Sequence, residues 1–319
     1  MTTTQPRIIP IASGKGGVGK SVFAASLAIA LARKGESTVA VDLDLGGSNL
    51  HTYLGLPNTN PGVGDYLKRR LDGLQPLLVE TTYDHLRFLP GDGKTPFMAN
   101  ISSQQRRQLL EQLQKLPARN VILDLGAGSA INTLNLFGLA ANGIVVTTLD
   151  TPALMNALVF LRNFMFANVL SLAAKEGELR KLLLDAYRRS AEGANLTAEE
   201  VYQLIDHHDC LLARQIRQRL SRFTPRLVYN MADQAEDLRV AERIKGTLKK
   251  TLSLESSTLG LLFYDDQVRK AVRKNRVFLT DNPDTPYRRG LDAICQRLRQ
   301  PAGADPDLEG LIREARSYR

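Results

Sequence analysis

The chain has no tryptophan and only two cysteines in 319 residues. Cys210 and Cys295 are far apart and show no C-x-x-C spacing, which argues against a disulfide framework and against a zinc ribbon or iron–sulfur site built within one chain. Both read as small buried apolar residues. Long hydrophobic runs are missing too. No unbroken apolar stretch reaches the ~20 residues that span a bilayer. The opening MTTTQPRIIPIA lacks the charged start and long apolar region of a secretory signal. These absences point to a cytoplasmic protein, peripheral to a membrane or nucleoid at most. Histidine is scarce, with four in the chain. The adjacent pair His207 and His208 has no acidic or cysteine partner at metal-ligand spacing, so both read as ordinary helix residues.

What remains is the composition of an ordinary soluble protein. The formal net charge is +9, and two-thirds of the Lys and Arg residues follow residue 150. That balance permits association with nucleic acid or anionic lipid without establishing either.

Short apolar runs recur: RIIPIA (7–12), TVAVDLD (38–44), LRFLPGD (86–92), NVILDLGAG (120–128), GIVVTTLD (143–150), TPRLVYN (224–230) and STLGLLF (257–263). Helical patterns separate them, such as the Ala- and Leu-rich VFAASLAIALARKGE and the amphipathic SSQQRRQLLEQLQKL (102–116). Buried strands alternating with helices predict a mostly parallel sheet with helices on both faces. Functional residues then gather at the carboxyl ends of the strands, where Gly14, Asp44, Asp124 and Asn230 all fall. One domain over 1–319 is expected. Residues 164–222 contain no convincing strand and read as two or three helices inserted within it, with Val201, Leu204, Ile205, His208, Leu212, Ile216 and Leu220 near one helical face. Residues 303–319 read as a C-terminal helix or tail.

The first strand is followed by SGKGGVGKS. Gly14 to Ser21 fits the phosphate-binding pattern G-x-x-x-x-G-K-[ST], placed as that motif requires between a strand and a helix. Gly14, Gly16, Gly17 and Gly19 let backbone amides of the loop, Lys15 and Val18 included, turn toward a phosphate chain. The helix from Lys20, Ser21 and Val22 adds its positive N-terminal end. Lys20 is expected on the β- and γ-phosphates and the Ser21 hydroxyl on Mg²⁺. Asp124 ends a strand where a carboxylate can hold a water of the Mg²⁺ shell, or can cap the next turn. Asp42 and Asp44 alternate at another strand end. One, more naturally Asp44, could orient the attacking water; the other could support the Mg²⁺ shell. Lys15 is a second lysine that the ordinary loop does not need.

KGGVGKS, VDLDLGGSNL, LDLGAG, YNMA and LGLLFYDDQVRKAVRKNRVFL, in this order, resemble the deviant-Walker P-loop ATPases of the MinD/ParA family, on the MinD-like branch near the FlhG flagellar number regulators. The resemblance runs from about residue 7 to about 298, apart from the helical segment. It implies an ATPase switch that binds ATP and Mg²⁺, dimerises on ATP, hydrolyses it slowly and recruits an activator or cargo protein. By the family pattern Lys15 reaches the partner subunit's ATP, Asp44 orients water, Asp124 serves the metal shell, Asn49 lies in the first switch and Asn230 meets the adenine edge. Cell division, flagellar placement and partitioning are the processes implied. The chain departs from the pattern in two places. LDTPAL stands where Pro-Glu is common. The DQAxxL signature of FlhG proteins is not found before Arg7, although DQAEDLR occurs at 233–239, where it reads as a helix start.

Two surfaces are candidates for recruitment. Leu308, Leu311, Ile312 and Ala315 form an apolar stripe that could meet a membrane or pack on the domain. Arg269, Lys270, Arg273, Lys274 and Arg276 form a basic segment, 269–276, that could meet DNA non-specifically or be a solvated helix face. The alternatives are a DNA-associated partitioning ATPase of the ParA type, a metal-cluster carrier ATPase, a bacterial tyrosine kinase and a non-hydrolysing scaffold. The carrier would need paired cysteines, and the kinase a tyrosine-rich tail.

Overall fold

In a computed structural model, residues 5–44, 47–68, 72–91, 101–173, 177–191, 196–273, 284–301 and 306–319 are described. Along the chain come β1 (Arg7–Ala12), α1 (Lys20–Arg33), β2 (Thr38–Leu43), α2 (Leu50–Tyr53), α3 (Val63–Leu67), β3 (Val79–Glu80), β4 (Leu86–Leu89), α4 (Ser103–Leu113), β5 (Asn120–Leu125), α5 (Ile131–Phe137), β6 (Ile144–Thr148) and α6 (Thr151–Leu172). They are followed by α7 (Gly177–Ala191), α8 (Ala198–Asp206), α9 (Cys210–Leu220), β7 (Arg226–Ala232), α10 (Val240–Leu252), β8 (Ser257–Phe263), α11 (Asp266–Arg273), α12 (Pro286–Leu298) and α13 (Leu308–Arg316).

The strands form an eight-stranded sheet in the order β3-β4-β2-β5-β1-β6-β7-β8. Every pairing is parallel except that of β3 with β4. The mostly parallel α/β architecture read from the sequence is thus present. The short edge strand β3 had no apolar run to announce it, because a two-residue edge strand needs no buried face. β2 and β5 are buried along their whole length, as strands covered on both faces must be. One core layer lies under α1 and α12, where Phe23, Leu27, Leu31 and Ile294 are buried. The other lies under α5, α6 and α10 on the opposite face.

Residues 164–222 carry the end of α6 and the helices α7 to α9. Phe160 and Phe164 on α6 meet Phe137 edge-on, with ring centroids 5.2 and 5.1 Å apart. The expected single face breaks between α8 and α9. Asp209 caps α9 by accepting from the amides of Leu211 and Leu212, both at 2.9 Å, so the chain turns at His207–Asp209 and His208 is exposed. Val201, Ile205, Ile216 and Leu220 do point into the core. Cys295 is buried as expected, but Cys210 is exposed at the start of α9.

A second correction concerns hydrophobic length. α6, at 22 residues, is long and apolar enough on length and composition to cross a membrane. Phe160, Phe164, Met165 and Val169 are nevertheless buried in the protein core, and Arg162 sits midway along it. The polar residues spaced along α6 kept it from reading as one apolar run.

Candidate nucleotide site

β1 ends in the middle of the sheet between β5 and β6, at the reversal of strand order where ligands of open α/β sheets bind. The glycine loop leaves from this point. Gly17 and Gly19 hold φ of 84° and 85°, the left-handed region that favours glycine. A side chain at Gly14 would stand 2.2 Å from the Asn156 carbonyl of α6, so the loop lies directly against that helix. Val18 is buried and anchors the loop in the core. No side chain caps α1, which leaves its first amides for an anion.

A cleft of about 540 Å³ opens in front of the loop. Gly16, Gly17, Gly19, Lys20, Ser21, Val22, Asp44, Asn49 and Asn230 of the expected set line it. Lys20 is 7% exposed. Its Nζ donates to Asp124 Oδ1 at 2.6 Å and to Ser21 Oγ at 3.3 Å. Asp124 is fully buried, and its carboxyl is pushed up to about 6: burial raises it most, Lys20 opposes the rise and Asp42 adds to it. Its second oxygen, Oδ2, is buried without a hydrogen-bond partner. A hard cation with a partial water shell suits this donor set, with an orphaned carboxylate oxygen and a hydroxyl side by side. Among the described residues no three His, Cys, Asp or Glu gather as metal ligands, so such a cation would depend on phosphate oxygens and water for the rest of its shell.

Asp42 and Asp44 differ in setting. Asp42 is buried, with Oδ2 accepting from Ser48 Oγ at 2.6 Å and the Leu50 amide at 3.0 Å, and Oδ1 from the Asp44 amide at 3.1 Å. Burial raises its pKa against those donors. It therefore fastens Asp44, Ser48 and Leu50 to the end of β2. Asp44 is half-buried and faces the loop after β5: its Oδ1 lies 3.3 Å from where a Cβ on Gly126 would stand. That second loop is tied to the first, because the Gly128 amide donates to the Ser13 carbonyl at 2.9 Å.

Lys15, unlike Lys20, does not line the cleft. It is 37% exposed, and its Nζ lies 3.3 Å from Asp150 Oδ1. Asp150 caps α6 by accepting from the Ala153 amide at 3.0 Å. Its pKa is lowered chiefly by the Thr148 hydroxyl, with the Ala153 amide and Lys15 contributing. Asn230 lies within β7 rather than beyond it, and its Nδ2 donates to the Val18 carbonyl at 2.8 Å.

Sequence reasoning missed Met231, Tyr264 and Tyr53, which also line the cleft. Met231 takes φ 59° just past Asn230, and Tyr264 is 46% exposed immediately after β8. Position alone could have found these two, since both stand at carboxyl ends of parallel strands. The basic segment also divides. Arg269 lines the cleft, Lys270 pairs with Asp266 at 2.7 Å, and Lys274 and Arg276 lie outside the described residues.

The apolar stripe of α13 is covered. Leu311, Ile312 and Ala315 are buried and Leu308 packs against the same core. Arg316 Nε donates to Glu236 at 2.7 Å and Arg297 pairs with Glu314.

Comparison with known proteins gives one family and a consistent set of relatives. Residues 9–278 match the CobQ/CobB/MinD/ParA nucleotide-binding domain. The chain is 27% identical over 303 residues to a septum site-determining protein MinD of Oltmannsiellopsis viridis, covering 93% of this chain and 84% of that one. It is 28% identical over 259 residues to the flagellum site-determining protein YlxH of Helicobacter pylori, covering 76% and 85%. With a MinD of Tupiella akineta the match is 32% over 157 residues, about half of either chain at 49% and 51%. The fold matches that of the MinD of Pyrococcus horikoshii solved with Mg-ADP, with a TM-score of 0.59, 18% identity and 92% and 96% of the two chains covered.

Proposed function

Since the chain belongs to the CobQ/CobB/MinD/ParA nucleotide-binding family, we propose that it is an ATP-dependent dimerising switch that hydrolyses ATP slowly and positions partner proteins in the cell. The observation that carries this reading is Lys15. It stands on the phosphate loop, yet its ammonium is directed to the exposed Asp150, and neither residue lines the cleft that Lys20 and Ser21 line. A cation placed there can reach phosphates bound to a second copy, and it stabilises their charge only when the two copies meet.

Each residue then has a part. The loop amides of Gly14 to Ser21 would hold the β- and γ-phosphates. Lys20 would exchange its bond to Asp124 for phosphate oxygens. Ser21 and the free oxygen of Asp124 would hold Mg²⁺, which would supply charge neutralisation on the phosphates; Asp42 would support that side by fixing Asp44, Ser48 and Leu50. Asp44 would accept a hydrogen bond from the water that attacks the γ-phosphorus. The bond to the β–γ bridging oxygen breaks, and ADP and phosphate leave. With the γ-phosphate gone, the loop 126–130, tied to Ser13, loses its contact and the dimer opens. Positioning and charge stabilisation suffice for this chemistry. Asn230, bonded to the Val18 carbonyl, would hold the phosphate loop in shape, and Tyr264 and Met231 would wall the base end of the cleft.

The relatives are named for septum-site and flagellum-site determination, so spatial placement is the process proposed, with an activator or cargo protein as partner and the cytoplasm as location. The buried face of α13 leaves no apolar stripe for a membrane while that helix is docked. The separation of Cys210 from buried Cys295 gives no support to a metal-cluster carrier.

Light scattering behind size exclusion tests this reading on wild type, Lys15→Ala and Asp44→Ala with and without ATP. An ATP-dependent dimer is expected, weakened by Lys15→Ala and trapped by Asp44→Ala. A wild type that stays monomeric at saturating ATP and Mg²⁺ would end it.

A further inference from the structure

A groove of about 480 Å³ runs from the loop after β5 to the helical segment. Its apolar lining comes from Ile131 and Leu134 of α5, Phe166 and Leu170 of α6, and Leu184 and Tyr187 of α7. The lining is built rather than accidental. Tyr187 stacks on Phe166 with centroids 4.4 Å apart, and its hydroxyl donates to Asn163 Oδ1 at 2.5 Å. At one end Ile131 is 57% exposed, in the first residue of α5. The groove shares no lining residue with the nucleotide cleft.

The rim carries charge of one sign. Arg106 on α4 and Arg180 on α7 both line the groove. Arg106 donates to Ser103 Oγ at 3.4 Å, and Arg180 to the Leu170 carbonyl at 3.3 Å. Neither meets a carboxylate among the described residues, in a chain that pairs many of its other surface arginines with Asp or Glu. An apolar floor between two guanidiniums that meet no carboxylate among the described residues favours an occupant that is apolar on one side and acidic at its edges.

We propose that this groove is the docking site for an acidic amphipathic helix of a partner protein. The dimensions agree: Asn163 to Ser171 of α6 spans about 12 Å, or two helical turns, enough for apolar side chains of a facing helix at i, i+3 or i+4, and i+7. The carboxylates at its edges meet Arg106 and Arg180.

The probe is a phage-displayed library of helical peptides of about four turns, panned on the nucleotide-free chain and counter-selected on Ile131→Glu. Selected peptides are then measured by fluorescence anisotropy. Net negative peptides with apolar residues at helical spacing are expected. Their affinity should fall by about tenfold or more on Ile131→Glu, a surface change that leaves the melting curve in place. The double variant Arg106→Glu/Arg180→Glu should lose the acidic peptide and accept the version with Lys in place of Glu. Failure to select any peptide, selection of neutral or basic ones, or binding indifferent to Ile131→Glu overturns the assignment. So does an Ile131→Glu effect confined to self-association, which would make the occupant a second copy.

Discussion

Lys15 Nζ and Asp150 Oδ1 lie 3.3 Å apart, a pair that joins the phosphate loop to the cap of α6. The second lysine of the phosphate loop is therefore held by a carboxylate of its own subunit. Dimerisation of the kind proposed has to break this pair. Both partners are well exposed, so the pair is worth roughly 0.2–1 kcal/mol. Asp150→Asn removes the charge and keeps the cap on α6, because Asn caps as well as Asp. It is expected to lower the ATP concentration at half-dimerisation by no more than about fivefold, read by light scattering. An unchanged or raised midpoint would show that the pair does not restrain Lys15.

Asp124 predicts a pH signature. Its carboxyl titrates near 6 in the folded chain against 3.8 when free. The folded state thus holds the proton more firmly. This group's stabilisation is complete below the free value and is lost as pH rises through about 6. Asp124→Asn has no such proton to lose. In urea melts of the nucleotide-free chain, wild type should lose ground to Asp124→Asn by about 3 kcal/mol between about pH 4 and 7. A gap that does not change with pH would mean that Lys20 already compensates the buried charge in full.

The loop after β5 predicts a change in rate without a change in binding. A methyl on Gly126 would come to 3.3 Å from Asp44 Oδ1 and 3.5 Å from Thr133 Oγ1, tight enough to move Asp44 by a few tenths of an ångström. Gly126→Ala should lower kcat by about tenfold or more, since positioned proton-accepting groups contribute about 10²–10⁴-fold, while ATP affinity holds. Equal loss of affinity and rate would place the fault in phosphate binding.

Gly19 and Asn230 act on each other. A Cβ at Gly19 would stand 2.3 Å from Asn230 Nδ2, in a left-handed conformation besides. Gly19→Ala should abolish nucleotide binding, and adding Asn230→Ala should restore only part of it, because the backbone strain remains. Asn230→Ala alone leaves the Val18 carbonyl without its donor, at a cost of about 1–3 kcal/mol. ATP and GTP affinities should then fall together, because the whole loop loosens. A loss confined to ATP would assign Asn230 to the base instead.

Much of this site could be read from the residues. The strand–loop–helix context of Gly14–Ser21 fixes its own geometry, since left-handed glycines and a bare helix end allow little else. Asp42, Asp44 and Asp124 announced themselves as carboxylates at the ends of apolar strands. What stayed hidden depends on distant elements meeting. Nothing local places Asp150 opposite Lys15, 135 residues away, or turns Asn230 onto the Val18 carbonyl. The break at His207–Asp209 was concealed because α8 and α9 carry hydrophobic residues at compatible spacing, and only the capping geometry of Asp209 separates them.

The C-terminal helix gives the last expectation, and it concerns membranes. Leu311 and Ile312 are 4% and 0% exposed, so an apolar face offered to lipid must first leave the protein core. Undocking two such side chains opposes binding by roughly 3–6 kcal/mol at about 1.5–3 kcal/mol each, a population of undocked helix below about one in a hundred. The wild type should therefore not sediment with anionic vesicles at physiological salt. Ile312→Ala should lower stability by about 2–5 kcal/mol through the cavity it leaves, without creating lipid binding, since it also shortens the face that would insert. Strong sedimentation of the wild type that Leu311→Asp abolishes would mean that α13 undocks readily and that its buried face is the membrane contact.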